Sequence, residues 1–170
     1  EEFIIEVPDN WMMKTVYNLP MDEMMEVIDH ALTNEYSIAW ASDVSEKGFS
    51  FRDGLALVPM DGAKIKKSGR DNKNFSDAGA AKESSVFDAP CEEKEITQEM
   101  RQLAFDNYET TDDHGMHMTG IVKDQTGKQY YIVKNSWGTK NNDCDGYFYD
   151  SEAFVEYKTM DIMLHKDALP

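Results

Sequence analysis

Basic residues are scarce in this chain. Seventeen Lys and Arg stand against 33 Asp and Glu in 170 residues, a formal net charge of −16. That balance excludes nucleic acid and anionic membrane surfaces as expected partners, since both reward patches of Lys and Arg. Long apolar runs are missing too. The longest are pieces such as Phe3-Ile4-Ile5 and Tyr130-Tyr131-Ile132-Val133, well short of the roughly 20 residues that span a bilayer. Cysteine is limited to Cys91 and Cys144, too few for a disulfide framework, and their number leaves the redox compartment open. There is no initiator Met and no secretory apolar segment. The chain starts Glu1-Glu2-Phe3 and reads as a fragment or a processed chain. The sequence does have enough apolar residues, 41%, to build a core. Its 11 Met suit irregular core gaps better than cofactor binding.

Three stretches differ in pattern. Residues 1–41 read as a short strand over 3–7 that ends at Pro8, a helix opened by Pro20 at its first position, and a strand over 36–41. The helix carries Met21, Met24, Met25, Ile28, Ala31 and Leu32 on one stripe and acids on the other face, with the start signals of Pro and first-turn carboxylates. The small, aromatic and β-branched residues of 36–41 predict a strand buried on both faces. Residues 42–95 lose all periodicity and are punctuated by Gly and Pro. They are expected to form a long polar insertion or flap, with a basic island at Lys64, Lys66, Lys67, Arg70 and Lys73. Residues 96–170 begin with a helix over 97–108, whose face is Ile96, Met100, Leu103, Ala104 and Tyr108. Strands follow over 114–122, 129–134, 146–149 and 160–165, with a turn at 124–128 and a helical turn at 151–157.

The chemistry concentrates in this last stretch. Asp113-His114-Gly115-Met116 opens one strand, and the returning strand runs into Lys134-Asn135-Ser136-Trp137-Gly138, followed by Asp145-Gly146-Tyr147. A hairpin of two strands and a turn sets His114 beside Asn135. Strand side chains alternate, so His114 and His117 point to opposite faces. Taken together, these segments resemble the second half of a papain-like cysteine peptidase, and within it the bleomycin hydrolase/aminopeptidase C branch. The His-small-Met-x-x-Thr-Gly pattern of that branch stands here as His114 to Gly120. The run Tyr147-Phe148, Ser151-Glu152-Ala153-Phe154 and Tyr157, and the early Asp43-Val44, are also similar.

The resemblance implies an α+β, papain-like fold, represented mainly by its antiparallel β-barrel-like lobe with flanking helices. It implies peptide-bond hydrolysis, with aminopeptidase action, by a Cys-His-Asn site of which this chain supplies two members. His114 is then the general base and acid, with His117 as the alternative should the register differ. Asn135 orients the imidazole, and Trp137 covers the hydrogen bond between them. The partners implied are a peptide substrate and a Cys-bearing N-terminal half of the same protein. Oligomers are common in that branch. No cofactor is called for.

The nucleophile is the departure. In this family it sits far upstream of the His, on a helix. Cys91 lies in Asp88-Ala89-Pro90-Cys91-Glu92-Glu93, and Cys144 lies between Asp143 and Asp145. Neighbouring acids raise a thiol pKa rather than lower it, so neither cysteine suits the role. Two other chemistries fit the letters less well. Asn141, Asp143, Asp145, Gly146 and Glu152 match calcium-loop spacing, but a strand enters where that loop needs a helix. Asp112, Asp113, His114 and His117 could be metal ligands only if both rings shared a face. The readings kept beside the peptidase are a non-catalytic papain-like binding module and a calcium-binding domain.

Overall fold

The computed structural model describes residues 2–7, 10–65 and 85–170. Pro8 and most of the expected basic island, Lys66 to Lys73, lie outside the described residues. Among the described residues no helix is long and apolar enough to cross a membrane.

The first helix, α1, spans Met21–Thr33. Pro20 stands one place before its expected position: with ψ 153 it is the N-cap, and the helix proper starts at Met21. All six stripe residues are buried, and Val27 joins them. Asp29 is not simply solvated on the far face. Its carboxylate accepts from the Tyr131 hydroxyl at 2.7 Å, tying α1 to the sheet. Two short strands precede this helix, β1 (Glu2–Ile4) and β2 (Thr15–Tyr17), paired with each other. The sequence reading has only the first of them.

Among the described residues the main sheet has seven strands, in the order β4-β5-β8-β7-β6-β3-β9. They are β3 (Ile38–Ser42), β4 (Phe49–Ser50), β5 (Leu55–Ala56), β6 (His114–Lys123), β7 (Gln129–Lys134), β8 (Tyr147–Ser151) and β9 (Thr159–Met163). All neighbours are antiparallel except β5 and β8. β3 is not buried on both faces. Ile38, Trp40 and Ser42 point inward, whereas Ala39 is exposed and Ala41 half-buried, because α1 and the rest of the core cover one side only. The stretch expected to form a polar insertion or flap contributes β4 and β5. Both are only two residues long, too short for an alternating pattern to register.

A bulge at Thr119 shifts the β6–β7 register between Met118 and Gly120. Before it, Met116 and Met118 face the core, and after it Ile121 packs there, so the bulge moves the inward set by one residue. On β7, Tyr131 and Val133 face that same core, while Tyr130 looks to the other side, into a smaller cluster with Leu57 and Val86.

Among the described residues the other α-helices are α2 (Gln98–Asp106) and α3 (Glu152–Lys158). Thr97 caps α2 through Met100 N, and Ser151 caps α3 through Phe154 N. The apolar face expected for α2 is only partly used. Ala104 and Ile96 are buried, but Leu103 is 63% and Tyr108 83% exposed. The helix ends at Asp106, and Tyr108 takes a left-handed φ of 61, which turns its ring off the stripe.

An acidic residue also sits in the core. Asp150 on β8 is fully buried beside Tyr131 and Ala56, and among the described residues neither of its oxygens has a hydrogen-bond partner. Burial holds its carboxyl well above the usual carboxylate range. The folded chain therefore keeps a proton that the unfolded chain releases, and stability falls as pH rises from the ordinary Asp range through the raised value. Replacing Asp150 by Val is expected to stabilise the chain at pH 7 to 8 by about 1–3 kcal/mol, the cost of an unsatisfied buried polar group. It should also flatten the decline of stability with pH. Urea titrations across pH check this. A destabilised variant with an unchanged pH slope would contradict it.

Candidate active site

β6 begins at His114, and β7 ends one residue before Asn135. In the pairing that sets His117 opposite Lys134, Asn135 falls opposite Met116 and diagonal to His114. All three share the sheet face of Val133. The His114 ring is half-buried, and its Nε2 lies 2.8 Å from Asn135 Oδ1. Asn135 is 3% exposed, and its backbone N donates to Gly146 O at 3.1 Å. His117 is exposed on the other face.

That oxygen decides the tautomer. With Asn135 Oδ1 turned to the ring, a carboxamide oxygen can only accept, so Nε2 donates a hydrogen, and in the neutral imidazole Nδ1 keeps its lone pair. The base-competent nitrogen of His114 is therefore the one turned away from Asn135.

Trp137 is not a core aromatic: 48% of it is exposed. Its ring lies against the imidazole, with centroids 4.6 Å apart and planes tilted by 31°. Phe49 and Phe51 meet it edge-on, with centroids at 5.9 and 5.3 Å. The sequence reading missed both phenylalanines, because they sit in the stretch without periodicity. It also missed what places Phe51. Asn142 Nδ2 donates to Phe51 O and to Tyr147 O, while its Oδ1 accepts from Cys144 N at 2.9 Å and Gly146 N at 2.7 Å. One amide thus ties the loop after Trp137 to the segment carrying its aromatic neighbours.

Gly146 explains the close approach of that loop. Its φ is 81, and a Cβ there would come within 2.7 Å of Gly138 O. The calcium-like spacing is used for this turn. Asn141 and Asp145 take left-handed φ values of 61 and 53, and Asn142, out of phase with the expected ligands, makes the bonds. Among the described residues no group of three or more His, Cys, Asp or Glu side chains is placed to hold a metal. Asp113 is engaged in hydrogen bonds. Its carboxylate accepts from Val44 N at 2.9 Å and pairs with the Ser45 hydroxyl.

Cys91 packs in the cluster of Leu57, Val86 and Tyr130, on the sheet face opposite the core. Cys144 lies under Gly54, where a Cβ would meet its Sγ at 2.6 Å. Burial pushes both thiols up. The nearby acids add to this: Glu93 at Cys91, and Asp143 and Asp145 at Cys144. The flanking acids expected from sequence to raise the pKa are thus the second cause rather than the first.

Comparison with curated proteins gave no match. Among solved structures, the chain is similar to the crystal structure of PepW from Lactobacillus rhamnosis HN001, with a TM-score of 0.60 and 21% identity. The superposition covers 92% of this chain and 29% of that one, so the chain spans less than a third of the length of PepW. At this identity the likeness speaks for the fold, the α+β arrangement of papain-like proteins. The family described as Peptidase C1-like matches residues 7–170, a span that takes in every element from β2 onward together with His114, Asn135 and Trp137. The chain belongs to the Peptidase C1-like family.

Proposed function

We propose that this chain supplies the His and Asn of a Cys-His-Asn peptidase site whose thiol comes from a segment outside it. The observation that carries the reading is the 2.8 Å contact between His114 Nε2 and Asn135 Oδ1. It leaves His114 Nδ1 free to take a proton from a thiol brought against the open side of the ring. The resulting thiolate–imidazolium pair is the activated nucleophile of cysteine peptidases. The thiolate attacks the scissile carbonyl, and the imidazolium then protonates the leaving amine from the same Nδ1. Water completes the cycle by hydrolysing the acyl-thioester, with His114 again as base.

Asn135 carries no proton in this scheme. It holds the ring in one tautomer and one plane, and Trp137 limits the water that competes for the hydrogen bond. The substrate is a peptide, and aminopeptidase action and oligomeric assembly follow from the resemblance to the aminopeptidase C branch. The Cys-bearing segment is the partner the site requires.

The isolated chain is expected to show no thiol-dependent turnover of aminoacyl fluorogenic substrates. Turnover abolished by iodoacetamide would make Cys91 or Cys144 the nucleophile and overturn the division of labour. In the protein that carries the thiol segment, His114→Ala should lower kcat by several orders of magnitude, toward the roughly 10⁶-fold loss seen when one member of a catalytic triad is deleted. His117→Ala should cost little. Steady-state kinetics check both, and the reverse pattern would assign the chemistry to the other face of β6.

Asn135→Ala is expected to reduce kcat while leaving measurable activity, since a neutral imidazole still samples the required tautomer. Trp137→Ala should also lower kcat. The two losses should be less than additive, because both act on one hydrogen bond. Fully additive losses in the double variant at unchanged stability would leave Trp137 as a packing residue without a shielding role.

A further inference from the structure

His114 stands at the first residue of β6, where among the described residues its one strand partner is Ser42. The residues leading into it, 109–113, belong to no helix or strand, so something else must fix where the imidazole starts. Lys158 is the side chain positioned to do so. It ends α3, is 2% exposed, and sends its ammonium between three chain segments.

Its Nζ donates to Glu109 O at 3.1 Å and to Thr110 Oγ1 at 3.0 Å, both in the lead-in. It pairs with Glu46 Oε1 at 2.5 Å, beyond the end of β3. Three donors thus meet three acceptors, as burial of an ammonium requires. A second carboxylate, Asp43 Oδ2, lies 4.0 Å away, and the Tyr157 ring centroid lies 4.4 Å away. Asp43 continues the same link, accepting from Thr111 N at 3.0 Å through Oδ2 and from Ser45 N at 2.8 Å through Oδ1. Ser45 in turn pairs with Asp113, the residue before His114. Lys158 also holds the far side through its backbone: its carbonyl accepts from Ser42 Oγ at 3.0 Å and Asp43 N at 3.2 Å.

Removing the ammonium would strip acceptors in the lead-in of their donor. It would also leave two carboxylates, one of them buried, without a counter-charge, a costly arrangement in a protein interior. Burial already pushes the Asp43 carboxyl up, against the bonds from Thr111 and Ser45 and the charge of Lys158. Without Lys158, the anionic Asp43 that holds Thr111 N becomes harder to keep.

We propose that Lys158 is a positioning residue for His114, fixing residues 109–113 through Glu109, Thr110 and Asp43 so that the imidazole meets Asn135 in a single tautomer. This rests on the role assigned to His114 above. Its test reads the ring in the isolated chain and needs no activity, so the failure of one reading is distinguishable from the failure of the other.

The measurement is a long-range ¹H–¹⁵N correlation spectrum of the histidine side chains, together with amide hydrogen exchange, on the chain and on Lys158→Met. The parent chain should show His114 as the Nε2–H tautomer alone. Lys158→Met should show a second His114 tautomer at comparable population, and exchange at Thr111 and His114 faster by roughly tenfold or more, as for a locally opened segment. Amides at the centre of β7 should keep their protection. A folded Lys158→Met chain with one His114 tautomer and unchanged exchange at Thr111 would overturn the proposal and leave Lys158 a stability residue only. Should Lys158→Met fail to fold, Thr110→Val decides, since it removes one acceptor without unpairing a charge. Faster exchange at Thr111 with a mixed tautomer supports the proposal, and an unaltered spectrum overturns it.

Discussion

One hydrogen bond gives meaning to the rest of this site, that between His114 Nε2 and Asn135 Oδ1 at 2.8 Å. A carboxamide oxygen has no proton to give, so its partner is an N–H of the ring, and the opposite nitrogen is the base we propose. The surrounding features serve that contact. The β6–β7 register brings the two residues to one face. Gly146 admits the loop that follows Trp137, and Asn142 fastens that loop to the Phe51 segment. Trp137 lies on the ring between Phe49 and Phe51. The same arrangement, in a chain whose two thiols burial and nearby acids push up, is why we propose a half-site.

The charge of the chain enters at a few points only. Most of the acidic excess is solvated, but Asp43, Asp150 and Lys158 are almost wholly buried. They behave differently because their partners differ. Lys158 has an acceptor for each of its protons, and Asp43 accepts two backbone N–H groups. Asp150 has no hydrogen-bond partner among the described residues, and burial pushes its carboxyl well above the usual range. A buried charge is tolerable when matched and a liability when not, so the first two order the approach to His114 while the third weakens the core.

How far the sequence could be read depended on element length. The 13-residue α1 and the long β6–β7 hairpin announce themselves by period, and the six-residue stripe of α1 is the one that packs. The contacts among His114, Asn135 and Trp137 were legible because their motif is local to one hairpin. β4 and β5, of two residues each, have no period to detect, and with them went Phe49 and Phe51, the neighbours of Trp137. The α2 stripe misled because a left-handed Tyr108 leaves the helix. The Lys158 network was illegible for another reason: its members are spread from residue 43 to residue 158, and only the fold brings them together.

The central claim, that His114 awaits a thiol from another segment, is tested most directly by titrating the thiols of the protein that carries the upstream sequence. The rate of iodoacetamide alkylation, followed by peptide mass spectrometry across pH, gives each cysteine its own midpoint. The account predicts one cysteine outside residues 1–170 with a midpoint several units below the ordinary thiol value of about 8.5, restored toward that value in His114→Ala. Cys91 and Cys144 should titrate above it. A protein whose cysteines all titrate at or above the ordinary value, with or without His114, would contradict the account.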